Sequence, residues 1–223
     1  MARANLHALL RLEPPGFNAL YRDVLRPIEG WRYRQDLALL YLLARDLAGS
    51  DPILEIGSYR GLSTTALALG ARDGGHETTV HAADPHTGDR QDLERSGQAL
   101  LPSEELYRRN LERAGVASRV TTHVMTSDAL ARRWDGTQLR LVFIDGWHSY
   151  EAVRADIANW VPTLAPGGIV VIDDYRNYDE VHQAVDDAAP ELPPRSRRAG
   201  RMWLGHTDPL PRAVARLLSI PWG

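Results

Sequence analysis

Short, nearly continuous hydrophobic runs alternate with longer amphipathic stretches along most of this chain. The hydrophobic runs predict strands near 53–56, 79–83, 120–125, 139–144 and 168–172. The amphipathic stretches predict helices near 61–71, 103–114, 127–133, 149–160 and 178–188. Runs that are apolar at successive positions suit strands buried on both faces, as in parallel sheets. We therefore predict a doubly wound α/β fold, with a mostly parallel sheet and helices on both faces.

The two ends of the chain depart from this alternation. An amphipathic stretch at 31–48 predicts a helix before the first strand. Residues 1–34 hold scattered apolar and aromatic positions interrupted by prolines, so we interpret them as an arm that acts as a lid or an oligomer contact. Residues 35–223 are expected to form a single domain. A possible strand at 201–204 and a short helix near 210–218 predict an antiparallel edge at the C-terminal end.

One polar stretch, residues 85–102, interrupts the alternation between the second strand and the next helix. Loops of this length inside compact domains are usually functional or disordered. A substrate lid and a solvated insertion are therefore equally open interpretations.

Composition excludes several classes of function. The formal net charge is −3, and the arginines are spread along the chain, so no basic surface for nucleic acid is expected. No apolar stretch approaches the roughly 18 residues of a membrane span. The chain has no cysteine, and all 26 residues counted as Lys+Arg are arginine. We expect a cytoplasmic protein that uses neither a thiol nor a lysine in catalysis.

Acidic residues stand where two predicted buried strands end. Asp145 follows the run 139–144, and Asp173 and Asp174 follow the run 168–172. Open α/β sheets bind ligands at the carboxyl ends of their strands, and clustered carboxylates favour hard divalent cations such as Mg²⁺. The alternative is that Asp145 and Asp174 only cap the helices that follow, which leaves Asp173 unexplained. His148, close to Asp145, is a candidate base.

The first strand leads into a glycine-containing turn, LEIGSYRGLS, before a helix. Gly57 permits a tight bend, Gly61 lets the helix approach the sheet, and amides at the helix start can meet an anionic group. The spacing is not GxGxxG, so dinucleotide binding is disfavoured. Glu55 indicates a cationic or amine group near the turn, and Asp84 after the second strand can accept both hydroxyls of a ribose. Together they predict an adenosyl ligand.

Over about residues 35–175 the chain resembles the Rossmann-like class I S-adenosylmethionine-dependent methyltransferases. Within them it is most similar to the metal-dependent O-methyltransferases that act on catechols and on macrolide and aminocoumarin sugars. The resemblance implies that Glu55 and Gly57 line the methionine side of the cofactor, with Tyr59 and Ser63 near its carboxylate. It also implies that Asp84 holds the ribose, while Ser127 and Asp128 meet the adenine.

The motif DGWHSY at 145–150 resembles the metal-binding segment of that family. The resemblance implies that Asp145 adjoins the cofactor and is the first metal ligand, and that Trp147 packs on the adenine. His148 stands where catechol methyltransferases carry a catalytic lysine. Asp173 and Asp174 match the remaining two protein ligands of the metal.

The expected activity is methyl transfer from S-adenosylmethionine to a hydroxyl of a small molecule, assisted by Mg²⁺ or another hard divalent cation, with His148 as base. A sugar of a secondary metabolite or glycan is favoured over a catechol. Alternatives are a metal-independent methyltransferase of the same fold, a non-catalytic adenosyl-ligand binding protein and, least favoured, a nicotinamide-dependent dehydrogenase. A homo-oligomer is possible.

Overall fold

In the computed structural model of the chain, residues 16–31, 33–47, 49, 51–87 and 103–219 are described. The strands are β1 (Ile53–Ile56), β2 (Val80–Ala83), β3 (Val120–His123), β4 (Leu139–Ile144), β5 (Leu164–Ile172), β6 (Arg195–Ala199) and β7 (Met202–His206). They form one sheet in the order β3-β2-β1-β4-β5-β7-β6. Strands β1 to β5 are parallel, β7 is antiparallel to β5, and β6 is antiparallel to β7. The predicted mostly parallel sheet with an antiparallel C-terminal edge is confirmed.

Helices cover both faces of the sheet. They are α1 (Phe17–Leu20), which continues as a π-helical turn at Tyr21–Leu25, α2 (Arg34–Leu47), α3 (Leu62–Asp73), α4 (Glu104–Arg113), α5 (Ser127–Ala131), α6 (Tyr150–Trp160), α7 (Asp179–Asp187) and α8 (Arg212–Leu217). One core lies between the sheet and α2, α3, α4 and α8, and a second lies between the sheet and α5, α6 and α7. The helices predicted from amphipathic spacing are therefore confirmed within one or two residues at most ends.

Local sequence explains where these elements start and stop. Thr126 and Ser149 are the N-caps of α5 and α6, and each hydroxyl accepts a hydrogen bond from a backbone amide three residues later. Strand β3 ends at His123 rather than 125, because Met125 N turns back to donate to the His123 carbonyl. Strand β5 starts at Leu164 rather than 168, because Leu164 pairs with Leu139 across a register shift.

Register brings the predicted site together. Ile56 pairs with both Ala83 and Ile144, and Ile144 pairs with Ile172. The residues that follow these positions leave the sheet at one edge, and they are Gly57, Asp84, Asp145 and Asp173.

Two expectations concern segments that the structure describes only in part. The predicted lid at 85–102 lies mostly outside the described residues, as do residues 1–15 of the N-terminal arm. Within the described ranges, Phe17 and Leu25 are buried in the same core as α2 and α3. No helix in those ranges is both long and apolar enough to cross a membrane.

Candidate active site

The turn between β1 and α3 is held against the end of β4. Gly57 has φ +85°, and a Cβ at this position would overlap the Asp145 carbonyl oxygen. Gly61, with φ +83°, is the N-cap of α3, where a Cβ would stand 3.0 Å from the Tyr107 ring. Position 57 requires a positive φ and has no room for a Cβ, and only glycine meets both requirements without strain. The predicted cofactor turn therefore contacts the backbone of Asp145, the first predicted metal ligand.

Polar side chains of this turn are largely buried. Glu55 is fully buried in β1 and accepts a hydrogen bond from the Thr64 hydroxyl of α3. Ser63, in the first turn of the same helix, is 5% exposed. Tyr59 has φ +45°, and its ring centroid lies 5.2 Å from that of Trp31. The structure thus brings Glu55, Gly57, Tyr59 and Ser63 together at one turn, and their contacts with a cofactor stay predictions.

Asp84 fixes the same turn from the neighbouring strand. Its two carboxylate oxygens accept backbone hydrogen bonds from Tyr59 N and His86 N, each at 2.7 Å. The side chain remains 17% exposed. Since each carboxylate oxygen has more than one lone pair, these amide bonds leave acceptor capacity for ribose hydroxyls.

The predicted adenine residues connect α5 to α6. The Ser127 hydroxyl donates to Asp156 and accepts from Trp160 Nε1 at 2.7 Å. Asp128 accepts a hydrogen bond from Asn159 Nδ2 at 2.9 Å.

Sequence reasoning missed Asp156, which is 5% exposed on the inner face of α6. Burial raises the pKa of Asp156 to about 7, since the bond from Ser127 only partly offsets the loss of hydration.

Trp147 follows β4 and is 45% exposed. It is one of four large hydrophobic side chains that are exposed in the described part of the chain. Its predicted contact with adenine stays a prediction.

His148 lies between two of the predicted metal ligands. One donor atom from each of Asp145, His148 and Asp174 falls within 4.8 Å of the others. His148 Nε2 lies 3.1 Å from Asp174 Oδ2, and its ring stacks on Tyr178 with centroids 4.3 Å apart and planes 7° from parallel. Both ring nitrogens of His148 are buried, and apart from the contact of Nε2 with Asp174 neither has a hydrogen-bond partner among the described residues.

Asp174 does not cap a helix. It has φ +56°, and its Oδ1 accepts a hydrogen bond from Asn177 Nδ2 at 2.6 Å. The N-cap of α6 is Ser149 and that of α7 is Tyr178, so neither Asp145 nor Asp174 holds the position that the capping alternative requires. Burial favours the neutral carboxyl, but the bond with His148 and the charge of Arg201 outweigh it, so the pKa of Asp174 lies below its ordinary value.

Asp173 forms an ion pair with the guanidinium of Arg201. Its Oδ2 lies 3.0 Å from Nη2 of Arg201, in the turn between β6 and β7. Nη1 of the same guanidinium is 3.6 Å from Asp174 Oδ1, and Nε is 3.5 Å from Asp36 Oδ2. Sequence reasoning missed Arg201 and Asp36. In the structure, the antiparallel pairing of Trp203 with Ile172 brings Arg201 beside Asp173 and Asp174, and no sequence pattern predicts that pairing.

A methyltransferase family model matches the chain. The match, to a methyltransferase domain, covers residues 54–175, more than half of the sequence. Among curated proteins, an uncharacterised Sinorhizobium fredii protein, y4gI, is 28% identical over 129 residues. That match covers 55% of this chain but only 13% of y4gI.

Solved structures share the fold at low sequence identity. The O-methyltransferase NovP superposes with a TM-score of 0.63 at 20% identity, covering 78% of this chain and 79% of NovP. TomG from Streptomyces achromogenes, an O-methyltransferase of tomaymycin synthesis solved with S-adenosylmethionine, gives 0.58 at 21% and 90% of each chain. CalS11, a TDP-rhamnose 3′-O-methyltransferase of calicheamicin biosynthesis, gives 0.56 at 16%, covering 92% and 94%. With the sheet order, the strand-tip turn and the family match together, the chain belongs to the methyltransferase-domain family and has the fold of class I methyltransferases.

Proposed function

We propose that this protein is an S-adenosylmethionine-dependent O-methyltransferase that acts on a hydroxyl of a small molecule. The observation that supports the proposal most directly is the contact between the Gly57 turn and the Asp145 backbone. It sets the predicted cofactor turn beside Asp145, His148 and Asp174 at one edge of the sheet. A methyl donor and an acceptor hydroxyl held there would be close enough for direct transfer.

In this proposal the cofactor lies along the ends of β1, β2 and β4. Glu55, Tyr59 and Ser63 hold its methionine part, and Asp84 accepts hydrogen bonds from the ribose hydroxyls. Ser127 and Asp128 meet the adenine, and Trp147 stacks on it. Asp84 is already held by the amides of Tyr59 and His86, so its carboxylate is oriented before a ligand arrives.

The donor set at the other end of the site fits a hard divalent cation. Asp145 and Asp174 offer carboxylate oxygens within 4.8 Å of each other, and Asp173 is the third predicted ligand. When bound, the cation would act as a Lewis acid that lowers the pKa of the acceptor hydroxyl. Asp173 would have to share its carboxylate with Arg201.

His148 is proposed as the base that removes the hydroxyl proton. His148 Nε2 lies 3.1 Å from the Asp174 carboxylate, so the proposal gives Nε2 the ring proton and makes Nδ1 the nitrogen that accepts the hydroxyl proton. Nδ1 is buried without a partner among the described residues, so a substrate hydroxyl is the group that would satisfy it. A histidine that ligates the cation cannot also take this proton, so the proposal assigns the cation to the aspartates alone.

A sugar hydroxyl is the favoured acceptor. CalS11 is described as acting on a rhamnose, although its likeness to this chain is one of fold alone. A cytoplasmic location and a homo-oligomeric state stay predictions.

The proposal is tested by methyl transfer from labelled S-adenosylmethionine to a panel of nucleotide sugars, glycosides and catechols, with Mg²⁺ and with EDTA. Transfer to a sugar hydroxyl with Mg²⁺, lost in EDTA, supports it in full. Transfer that persists in EDTA supports the metal-independent methyltransferase instead. That second candidate is favoured by one observation, the contacts of Arg201 with Asp173 and Asp174. No transfer to any acceptor contradicts both.

A further inference from the structure

Arg201 forms ion pairs with acidic side chains from two distant parts of the chain. Asp36 comes from the first turn of α2, whereas Asp173 and Asp174 follow β5. The three residues are between 1% and 7% exposed, and the Arg201 side chain is 11% exposed. Three negative charges thus share one guanidinium at 3.0 to 3.6 Å, which leaves a net charge of −2 when all are ionised.

Such a group is stable only if a cation balances its charge or protons neutralise it, because buried carboxylates lose hydration. Arg201 provides that cation without any bound ion. Asp173 and Asp174 are also predicted ligands of the divalent metal, so the guanidinium and the metal attract the same oxygens. Two cations close to the same carboxylates repel each other by several kcal/mol at about 4 Å in a partly screened site.

We propose that Arg201 is the resident cation of the acidic site and that it sets the affinity of the site for divalent metal. It weakens metal binding by pairing with Asp173 and by its own positive charge. This inference rests on the metal site of the proposed function, but it concerns the ratio of two metal affinities and not the activity of the enzyme.

Arg201 also holds the segment before α2 against the site. Its Nη2 donates to the Trp31 carbonyl, and its guanidinium lies 5.9 Å from the Tyr33 ring centroid. Tyr33 N donates to Asp36 Oδ2 at 3.2 Å, and the Trp31 ring packs near Tyr59 of the cofactor turn. Arg201 therefore positions both the acidic side chains and the segment that contains Trp31 and Tyr33. A substitution at Arg201 is expected to change the position of that segment as well.

The test compares Mn²⁺ binding to EDTA-stripped wild type, Arg201→Gln and Arg201→Lys, by calorimetry at pH 7.5 without cofactor. We expect Arg201→Gln to bind Mn²⁺ about tenfold more tightly than wild type or more, because the competing charge is gone. Arg201→Lys should lie closer to wild type, since it keeps the charge. Arg198→Gln is the matched control, because Arg198 lies in β6 close to the same turn and contacts Tyr175 instead of the acids.

The outcomes bear on the inference and on the metal site of the proposed function. Binding by Arg201→Gln with none by wild type supports the inference and contradicts a metal-dependent wild-type enzyme. Equal or weaker binding by Arg201→Gln overturns the inference and leaves the metal site intact, whereas no binding by either protein overturns both.

If Arg201→Gln does not fold, Asp36→Asn takes its place, and it should weaken Mn²⁺ binding because Arg201 then pairs more fully with Asp173 and Asp174. Unchanged or tighter binding by Asp36→Asn overturns the inference.

Discussion

Gly57 and Asp145 meet backbone to backbone, so closely that any side chain at position 57 would overlap the Asp145 carbonyl. The contact joins the end of β1 to the end of β4, and it makes the cofactor turn and the acidic site one structural unit. Displacement of the turn would therefore affect both halves of the proposed reaction.

Gly57→Ala should destabilise the protein by about 1–3 kcal/mol, because it combines a positive φ with the overlap at Asp145. It should also abolish binding of S-adenosylhomocysteine. Thermal unfolding and calorimetry measure the two effects. Gly136→Ala is the matched control, since Gly136 has φ +84° and no heavy atom within 4 Å of an added Cβ. Equal losses in the two variants would show that the contact with Asp145 has no special role.

His148→Ala should lower turnover by about 10²-fold or more, because it removes the proposed base. Its affinity for S-adenosylhomocysteine should stay within about twofold, because the loss lies in the proton transfer and not in cofactor binding. Steady-state kinetics and calorimetry test this. His182→Ala is the control, since His182 is an exposed histidine of α7 that pairs with Asp186. Turnover unchanged in His148→Ala would remove His148 as base.

Asp145→Asn and Asp174→Asn should each raise the Mg²⁺ concentration needed for half-maximal activity by at least about tenfold. Substitution of residues that only hydrogen-bond to metal ligands already lowers metal affinity by about tenfold or more, and these two residues are predicted to be ligands themselves. The exposed Asp179→Asn in the first turn of α7 serves as the charge control. Activity of wild type that survives in EDTA would contradict the metal requirement.

Asp156 should make stability fall as the pH rises. Its pKa is about 7 in the folded protein and near 3.8 in the unfolded chain, so the folded state binds the extra proton between these values. The cost of burying the carboxylate is absent below about pH 4, grows up to about pH 7 and reaches at most about 4 kcal/mol, at about 1.4 kcal/mol per pKa unit.

Asp156→Asn should therefore gain stability relative to wild type at pH 8 and gain little at pH 4, as measured by denaturant unfolding. Glu151→Gln, which removes an exposed carboxylate from the first turn of α6, is the charge control. A stability difference between Asp156→Asn and wild type that does not change with pH would contradict the raised pKa.

Much of the fold was predictable because the central strands are buried on both faces. Leu139, Val142 and Phe143 are fully buried, and their continuous apolar run carries that information. Strand β6 could not be assigned in the same way. Four of its five residues, in RSRRA, are exposed, so an edge strand of this kind has no hydrophobic pattern.

The site was predictable up to the ends of the parallel strands. Asp145, Asp173 and Asp174 were placed at one edge by strand ends alone, and register confirms that placement. The pairing of Asp173 with Arg201 was not predictable from the sequence. Arg201 and Asp36 likewise meet only through the tertiary fold, across 165 positions of sequence.

The central claim, that this chain binds S-adenosylmethionine and transfers its methyl group to a hydroxyl, is tested most directly by calorimetric titration of S-adenosylmethionine and S-adenosylhomocysteine into the EDTA-stripped wild-type protein. The titration is repeated with Mg²⁺ and a sugar acceptor. The account predicts saturable cofactor binding without metal, followed by acceptor binding that requires Mg²⁺. Absence of binding by either cofactor form would contradict the account, because the turn at Gly57 and the acid at position 84 would then serve no adenosyl ligand.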